Sequence, residues 1–292
     1  MRIFIRDVRS PWGKRLAHTA RRRRWSVRIA GEVDADGFGF IRLHSNPEKI
    51  GKDREIAAAM AKRLVMVQDA TQIAVYDDKV AQARLWPEWM PETWIYESRD
   101  AAMGYAGDFP VISKAAVGAS SQNVRLIENR QSLEDHINLA FGEGITVRHG
   151  SGDGYKSFQR GYVLLQRFIP HDTTYRVNAI GGQRAVFLRS CYPDRPMAQT
   201  GNVCPSYDPP ADLMEFAEAF FQQSGTKWCA LDILKDGDGW RLLETSLAWP
   251  HPSPGECNNA PFFPNGRKWI DMWDVLLDEL ESGAWHSTSM SA

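Results

Sequence analysis

The stretch Trp228-Cys-Ala-Leu-Asp232-Ile-Leu-Lys-Asp236-Gly-Asp-Gly239-Trp-Arg-Leu-Leu-Glu244-Thr-Ser246 decides how this chain is read. Apolar and β-favouring residues flank a Gly/Asp turn, so Trp228 to Lys235 and Trp240 to Ser246 are expected to form a β-hairpin. With a three-residue loop, Gly237-Asp238-Gly239, Asp232 stands opposite Glu244 and Ser246 joins the same face two residues on. A two-residue loop would put the acids on opposite faces. Carboxylates brought side by side repel each other unless protonated or bridged by a cation, and hard oxygen ligands of this kind suit Mg²⁺. The competing reading is two solvated carboxylates on an exposed sheet face.

Two upstream segments bear on that choice. The run Phe109-Pro-Val-Ile-Ser-Lys114 is a short apolar strand ending in one lysine, followed by Ala115 to Val117 and the small-residue loop Gly118-Ala119-Ser120-Ser121. A strand resumes at Asn123. Small residues let backbone N–H groups approach an anion, and the lysine supplies a point charge for phosphate. The spacing is not that of a Walker-type loop, and a plain hairpin turn is the alternative. Further on, Gly161 to Pro170 reads as a buried strand that turns polar. After it, Asp172 to Ile180 and Gln183 to Arg189 flank the turn Gly181-Gly182. A two-residue loop pairs Arg176 with Phe187 and leaves Arg189 on the same face. Converging guanidinium groups call for an anion such as phosphate or carboxylate, or for an acidic partner such as Asp172 or Asp194.

In this order, the lysine strand, small-residue loop, Gln166-x-Phe168-Ile169 strand, arginine hairpin and Asp232…Glu244-x-Ser246 pair resemble the ATP-grasp superfamily. The likeness is to the ribosomal-protein glutamate ligase type of carboxylate-amine ligase. Tyr76-Asp77-Asp78-Lys79, then Leu85 and Pro91-Glu92-Thr93-Trp94, look like that type's approach to the nucleotide region, and Gly39 to Arg42 with Asp53 to Leu64 resemble its preceding domain. The likeness covers most of the chain. It implies an α/β (α+β) ATP-grasp fold: two α+β lobes around an ATP cleft, preceded by a small Rossmann-like domain. The expected division is 1–78 for that domain, 79–160 for the small lobe with the phosphate loop, and 161–292 for the large lobe with the metal and substrate site.

Carried over residue by residue, the resemblance implies that Lys79 and Lys114 hold the α- and β-phosphates, under a flap of Gly118, Ala119, Ser120, Ser121 and Gln122. Gln166, Arg167, Phe168 and Ile169 would read adenine, and Asn202 falls near the phosphates. Arg176 and Arg189 would hold the γ-phosphate and the acceptor carboxylate. Asp232, Glu244 and Ser246 would hold Mg²⁺ as one or two ions, with Mn²⁺ an alternative. Ser246 stands where the family usually has Asn, Arg167 where it often has an acid, and Thr174 where it often has Asp. The implied activity is ATP-dependent amide or peptide bond formation through an acyl phosphate, releasing ADP and phosphate. A phosphotransferase acting on a hydroxyl and a nucleotide-binding protein without turnover remain as alternatives.

Composition agrees. The formal net charge of −1 argues against a general nucleic-acid binder. Arg21 to Arg24 form a local basic cluster, read as the solvated face of a helix from Pro11 to Trp25 or as a docking site for a macromolecular acceptor. The partners expected are small-molecule or peptide carboxylates and amines. Four cysteines without C-x-x-C spacing, and no apolar span or export signal, suggest free thiols in the cytoplasm. Helices are also expected at 132–141, capped by Ser132 and Asp135, at 211–224 and at 269–281. The segment from Trp86 to Pro91 reads as a linker, and Gly142 to Gly161 as a lid or a surface loop. Trp86, Trp89, Trp94, Trp249 and Trp285 are assigned to core or cleft, and His171 to a structural or ribose-side position.

Overall fold

A computed structural model of the chain describes residues 1–7, 9–29, 33–44, 47–118, 123–148, 156–192, 195–206, 208–247, 268, 271–283 and 285. Side chains at 47–48, 192 and 195–205 are outside that description, so Asn202 is placed by its backbone alone. Ala119, Ser120, Ser121 and Trp249 also fall outside it.

Strands β1 (Arg2–Arg6), β2 (Ser26–Ile29), β3 (Gly37–Ile41) and β4 (Leu64–Met66) form a four-stranded sheet in the order β2-β1-β3-β4. All three pairings are parallel. Parallel strands need crossover connections: α1 (Pro11–Arg22) links β1 to β2 and α2 (Pro47–Ala61) links β3 to β4, while α3 (Ala70–Val75) follows the sheet. Helix α1 starts where Ser10 accepts the Gly13 N–H at 3.0 Å with Pro11 at its first position. It buries Trp12, Leu16, Ala17 and Ala20.

Helix α4 (Lys79–Leu85) leads into the second sheet, in the order β5-β10-β6-β7. Its strands are β5 (Thr93–Tyr96), β6 (Val111–Lys114), β7 (Val124–Ile127) and β10 (Val163–Arg167), all antiparallel. Helices α5 (Arg99–Met103) and α6 (Arg130–Phe141) belong to the same part of the chain, and β8 (Ile145–Arg148) pairs with β9 (Lys156–Gln159) as a separate two-stranded sheet where a lid or a surface loop was expected. Helix α6 is capped by Asn129, whose side chain accepts the Ser132 N–H at 3.0 Å, so the expected cap at Ser132 and Asp135 lies inside the helix.

The third sheet has five strands in the order β13-β12-β11-β14-β15. They are β11 (Thr173–Ile180), β12 (Gln183–Tyr192), β13 (Arg195–Pro205), β14 (Trp228–Asp236) and β15 (Gly239–Ser246), with α7 (Ala211–Ser224) and α8 (Met272–Glu281). Gly181 turns the first hairpin at φ +58°, and a Cβ there would meet the Glu279 carboxylate at 2.1 Å. Glu279 in turn accepts the Gly182 N–H at 2.9 Å, tying α8 to the turn.

The first and third sheets share one hydrophobic core. Trp12 and Phe40 meet Trp228 and Trp273 with ring centroids 5.5–6.5 Å apart. Such pairs add about 0.5–1.5 kcal/mol each beyond area burial. The basic cluster reinforces this junction: Arg22 pairs with Asp274, and Arg23 with Asp278 and Glu281, all on α8. Two of the four arginines are therefore spent on an internal contact.

The expected linker is packed structure. Trp86 and Met90 are buried, and the Trp86 and Trp89 rings meet Phe220 of α7 edge-on. The Trp89 carbonyl also accepts the Leu242 N–H from the outer edge of β15 at 2.8 Å. Trp285 is core as well.

Candidate functional site

Each site residue owes its position to a strand register. In β11, Arg176 pairs with Phe187 on one side and Asp232 on the other, and Arg189 lies two residues beyond Phe187 on the same face. The acid hairpin takes the shorter of the two turns its sequence allows. Asp236 pairs with Gly239, so the loop is the two residues Gly237-Asp238, with Gly237 in the left-handed conformation that such turns favour. That register alone would part the acids. A β-bulge beyond Ile233–Leu242 inserts Leu243 as an extra residue and brings Glu244 opposite Asp232 after all.

The convergence of the two arginines is answered from within the protein. Arg176 grips Asp232 through two bonds of 2.6 Å, and Arg189 reaches both carboxylate oxygens at 3.3–3.4 Å. Neither pairs with Asp172, and Asp194 is not among the described residues. Burial would raise the Asp232 pKa, but the two guanidinium groups outweigh it and hold the carboxyl below its ordinary range. The same burial, with Arg176 nearby, depresses Arg189 despite the attraction of Asp232.

Lys79 and Lys114 approach from the other side. Lys79, on α4, donates to the Gly118 carbonyl at 2.8 Å and lies 3.4 Å from a Glu244 oxygen. Burial opposes its charge, yet Glu244 and Asp77 keep its pKa above the ordinary lysine value. Lys114, at the end of β6, is pushed down to about 8 by burial, with Lys79 adding to the fall and Glu244 and Asp232 resisting it. Two buried polar atoms, Arg189 Nε and Asp77 Oδ2, have no hydrogen-bond partner among the described residues. Unsatisfied groups of this kind in a cleft suit a ligand.

These side chains line one cavity of about 550 Å³. Lys79, Lys114, Gly118, Gln166, Arg167, Phe168, Ile169, Arg176, Arg189, Asp232, Glu244 and Ser246 all contribute to it. All three sheets border it, whereas the sequence placed the cleft between the last two lobes only. Gln166 is buried and donates to Thr93 Oγ1 at 2.9 Å, so its side chain is engaged internally. The Arg167 side chain is exposed and paired with Asp236 at 2.6 Å. His171 meets the Ile169 carbonyl through Nδ1 at 2.7 Å.

No protein-family model and no curated protein matches the sequence. Solved structures do. A RimK domain ATP-grasp protein from Sphaerobacter thermophilus is 18% identical, with TM-score 0.57 over 85% of this chain and 91% of that one. The ATP-grasp ligase PsnB, complexed with minimal precursor, Mg and ADP, is 13% identical at TM-score 0.61, over 96% and 98%. The D-alanine–D-alanine ligase of Bacillus anthracis, complexed with ATP, is 12% identical at TM-score 0.56, over 98% of both. This chain has the ATP-grasp fold.

Within this ATP-grasp fold the cavity also takes in residues that the sequence did not mark as site residues. Asp7 follows the end of β1, Arg42 and His44 follow the end of β3, and Asp77 and Gln82 come from the approach to α4 and from α4 itself. Asp77 accepts the Gly118 N–H at 3.2 Å, and burial pushes its carboxyl up to about 6 against the pull of Lys79. Buried Gln82 accepts the Thr245 N–H at 2.8 Å and donates to the Thr245 carbonyl at 3.1 Å, fixing the edge strand between Glu244 and Ser246. Among the described residues there is no cluster of three or more metal-ligating acids, histidines or cysteines. Two adjacent carboxylates nonetheless fit Mg²⁺, which is commonly held by one or two carboxylates together with substrate phosphates and water. No helix among the described residues is long and apolar enough to cross a membrane.

Proposed function

We propose that this protein is an ATP-dependent ligase that joins a carboxylate to an amine through an acyl phosphate, releasing ADP and phosphate. The observation that carries the reading is four cations from three parts of the chain, Lys79, Lys114, Arg176 and Arg189, gathered with Asp232 and Glu244 around one cavity. Cations outnumber acids there, which suits a polyanion such as a triphosphate.

A free carboxylate resists attack by an amine because its leaving group is poor and its carbonyl carbon is shielded by negative charge. Transfer of the γ-phosphoryl group to a carboxylate oxygen replaces that leaving group with phosphate. Lys79 and Lys114 would receive the α- and β-phosphates beside the Gly118 loop. Backbone groups of residues 166–169 would meet adenine, since the Gln166 and Arg167 side chains already have partners. Arg176 is held bidentate by Asp232. Arg189, with longer contacts and an Nε that has no partner among the described residues, has donors to offer the γ-phosphate and the acceptor carboxylate. Asp232 and Glu244, with Ser246, would hold Mg²⁺, whose charge offsets that of the phosphates when bound. Acyl phosphates hydrolyse readily, so the walls from all three sheets would also serve to exclude water.

The substrates fall in the class of small-molecule or peptide carboxylates and amines; the solved PsnB complexes contain a precursor peptide, so peptides belong in any panel. We place the protein in the cytoplasm, where the thiols of Cys191 and Cys229 stay reduced. The test is release of ADP and phosphate with a panel of carboxylates, with and without amines. Amine-dependent phosphate release with amide formation is expected. A phosphorylated product formed without any amine would point to a hydroxyl phosphotransferase, and silence throughout to nucleotide binding without turnover.

A further inference from the structure

The wall that the first sheet gives to the cavity carries chemistry of its own. Strand β3 ends at Ile41, and the next residues, Arg42, Leu43 and His44, all line the cavity. His44 Nδ1 lies 2.6 Å from Asp53 Oδ2, and the same oxygen accepts the His44 backbone N–H at 2.9 Å. Asp53, on α2, is 3% exposed, whereas the His44 side chain is 45% exposed. A buried carboxylate against Nδ1 keeps the proton on that nitrogen and leaves a lone pair on Nε2, on the far side of the ring from Asp53.

A ligase needs a proton acceptor in its second step. Amines reach the enzyme near neutral pH as ammonium ions, which have no lone pair to attack with. The polar end of the cavity is poor in acceptors: Lys79, Lys114, Arg176 and Arg189 are donors, Asp232 is gripped by both arginines, and Glu244 faces Lys79. Asp77 has one oxygen without a partner among the described residues, but its other oxygen accepts the Gly118 N–H beside Lys79, which sets it among the groups assigned to phosphate. His171 is set two residues beyond Ile169, beside the segment assigned to adenine, and its Nδ1 meets the Ile169 carbonyl. Imidazole is the side chain best matched to proton transfer near neutral pH.

We propose that His44, oriented by Asp53, takes a proton from the attacking ammonium group. This rests on the ligase reading. The freed amine lone pair forms the C–N bond at the acyl carbon, and the bond from that carbon to the phosphate oxygen breaks with its electron pair going to oxygen. One nitrogen proton goes to His44 Nε2. The second goes to the departing phosphate, and the amide nitrogen keeps the third.

The experiment compares two nucleophiles, with a pooled set of amino acids and short peptides as carboxylates and, for the amide arm, as amines. Hydroxylamine is already unprotonated at neutral pH and traps the acyl phosphate as a hydroxamate without needing a base. For His44→Gln, the ratio of amide to hydroxamate should fall roughly 100-fold or more relative to wild type. Asp53→Asn should shift the ratio in the same direction by less. An unchanged ratio in His44→Gln, whether both products persist or both fall by the same factor, overturns the proton-transfer role. If the wild-type protein forms neither product, the ligase reading itself fails and this inference falls with it.

Discussion

Both hairpins at the polar end of the cavity turn over two residues, Gly181-Gly182 in one and Gly237-Asp238 in the other, but only the first keeps one register along its length. The arginine hairpin is straightforward because its turn and its faces agree. In the acid hairpin the turn would send Glu244 to the wrong face, and the bulge at Leu243 sends it back. The two acids also differ in how they are held. Asp232 is 7% exposed and bound by two arginines, while Glu244 sits half-buried on the edge strand with a single longer contact to Lys79. One acid therefore belongs to the fold as much as to the site, and the other chiefly to the site.

Substitutions can pull that contrast apart. Asp232→Ala should remove turnover and also lower stability by about 3–5 kcal/mol, because two buried guanidinium groups lose their counter-charge. Urea denaturation measures this, and wild-type stability in the variant would show that the clamp does not support the sheet. Glu244→Gln should cost activity alone: turnover falls roughly 100-fold or more, while the denaturation midpoint stays near wild type. Gln82→Leu reaches the same edge strand from outside. Losing its bonds to the Thr245 backbone should cost about 1–3 kcal/mol, and a larger loss in turnover than in stability would show that the strand carrying Glu244 has shifted.

Lys114 gives the mildest effect and works through pH. Its pKa is lowered in the folded protein to about 8, against 10.5 for a free lysine. Between these values the folded chain binds fewer protons than the unfolded one, so this lysine's contribution to stability becomes more favourable as pH rises from about 8 toward 10.5. Nucleotide affinity should move the other way, because a neutral lysine offers phosphate no charge. Calorimetric titration across this range should show affinity weakening above pH 8 in wild type and a flatter profile in Lys114→Met. Identical profiles would remove Lys114 from the phosphate site.

Much of this was legible in the sequence because local signals carried it. Gly-Gly between alternating runs marked the arginine hairpin, and the family resemblance implied a small Rossmann-like domain ahead of it. The sequence leaves the turn of the acid hairpin open between three residues and two, because a three-residue loop, and a two-residue loop followed by a bulge, give the same facing of Asp232 and Glu244. Trp86 to Pro91 resembled a linker by composition, but its tryptophans find partners on α7, more than a hundred residues away in the chain. The Arg176–Asp232 pair was hidden for a related reason: β11 and β14 are neighbours only through the sheet order. His44 and Asp53 gave no signal at all, since nine residues spanning a strand end and a helix bring them together only in three dimensions.

The most direct measurement is calorimetric binding of a non-hydrolysable ATP analogue with Mg²⁺ to wild type and to a Lys79→Met, Lys114→Met double variant, both checked for folding. A triphosphate enclosed by these cations predicts saturable binding in wild type, weaker binding when Mg²⁺ is withheld, and a loss of roughly 100-fold or more in the double variant, counting about tenfold per charge–phosphate contact. Equal affinity in both proteins, or no binding to the wild-type chain, would contradict the account.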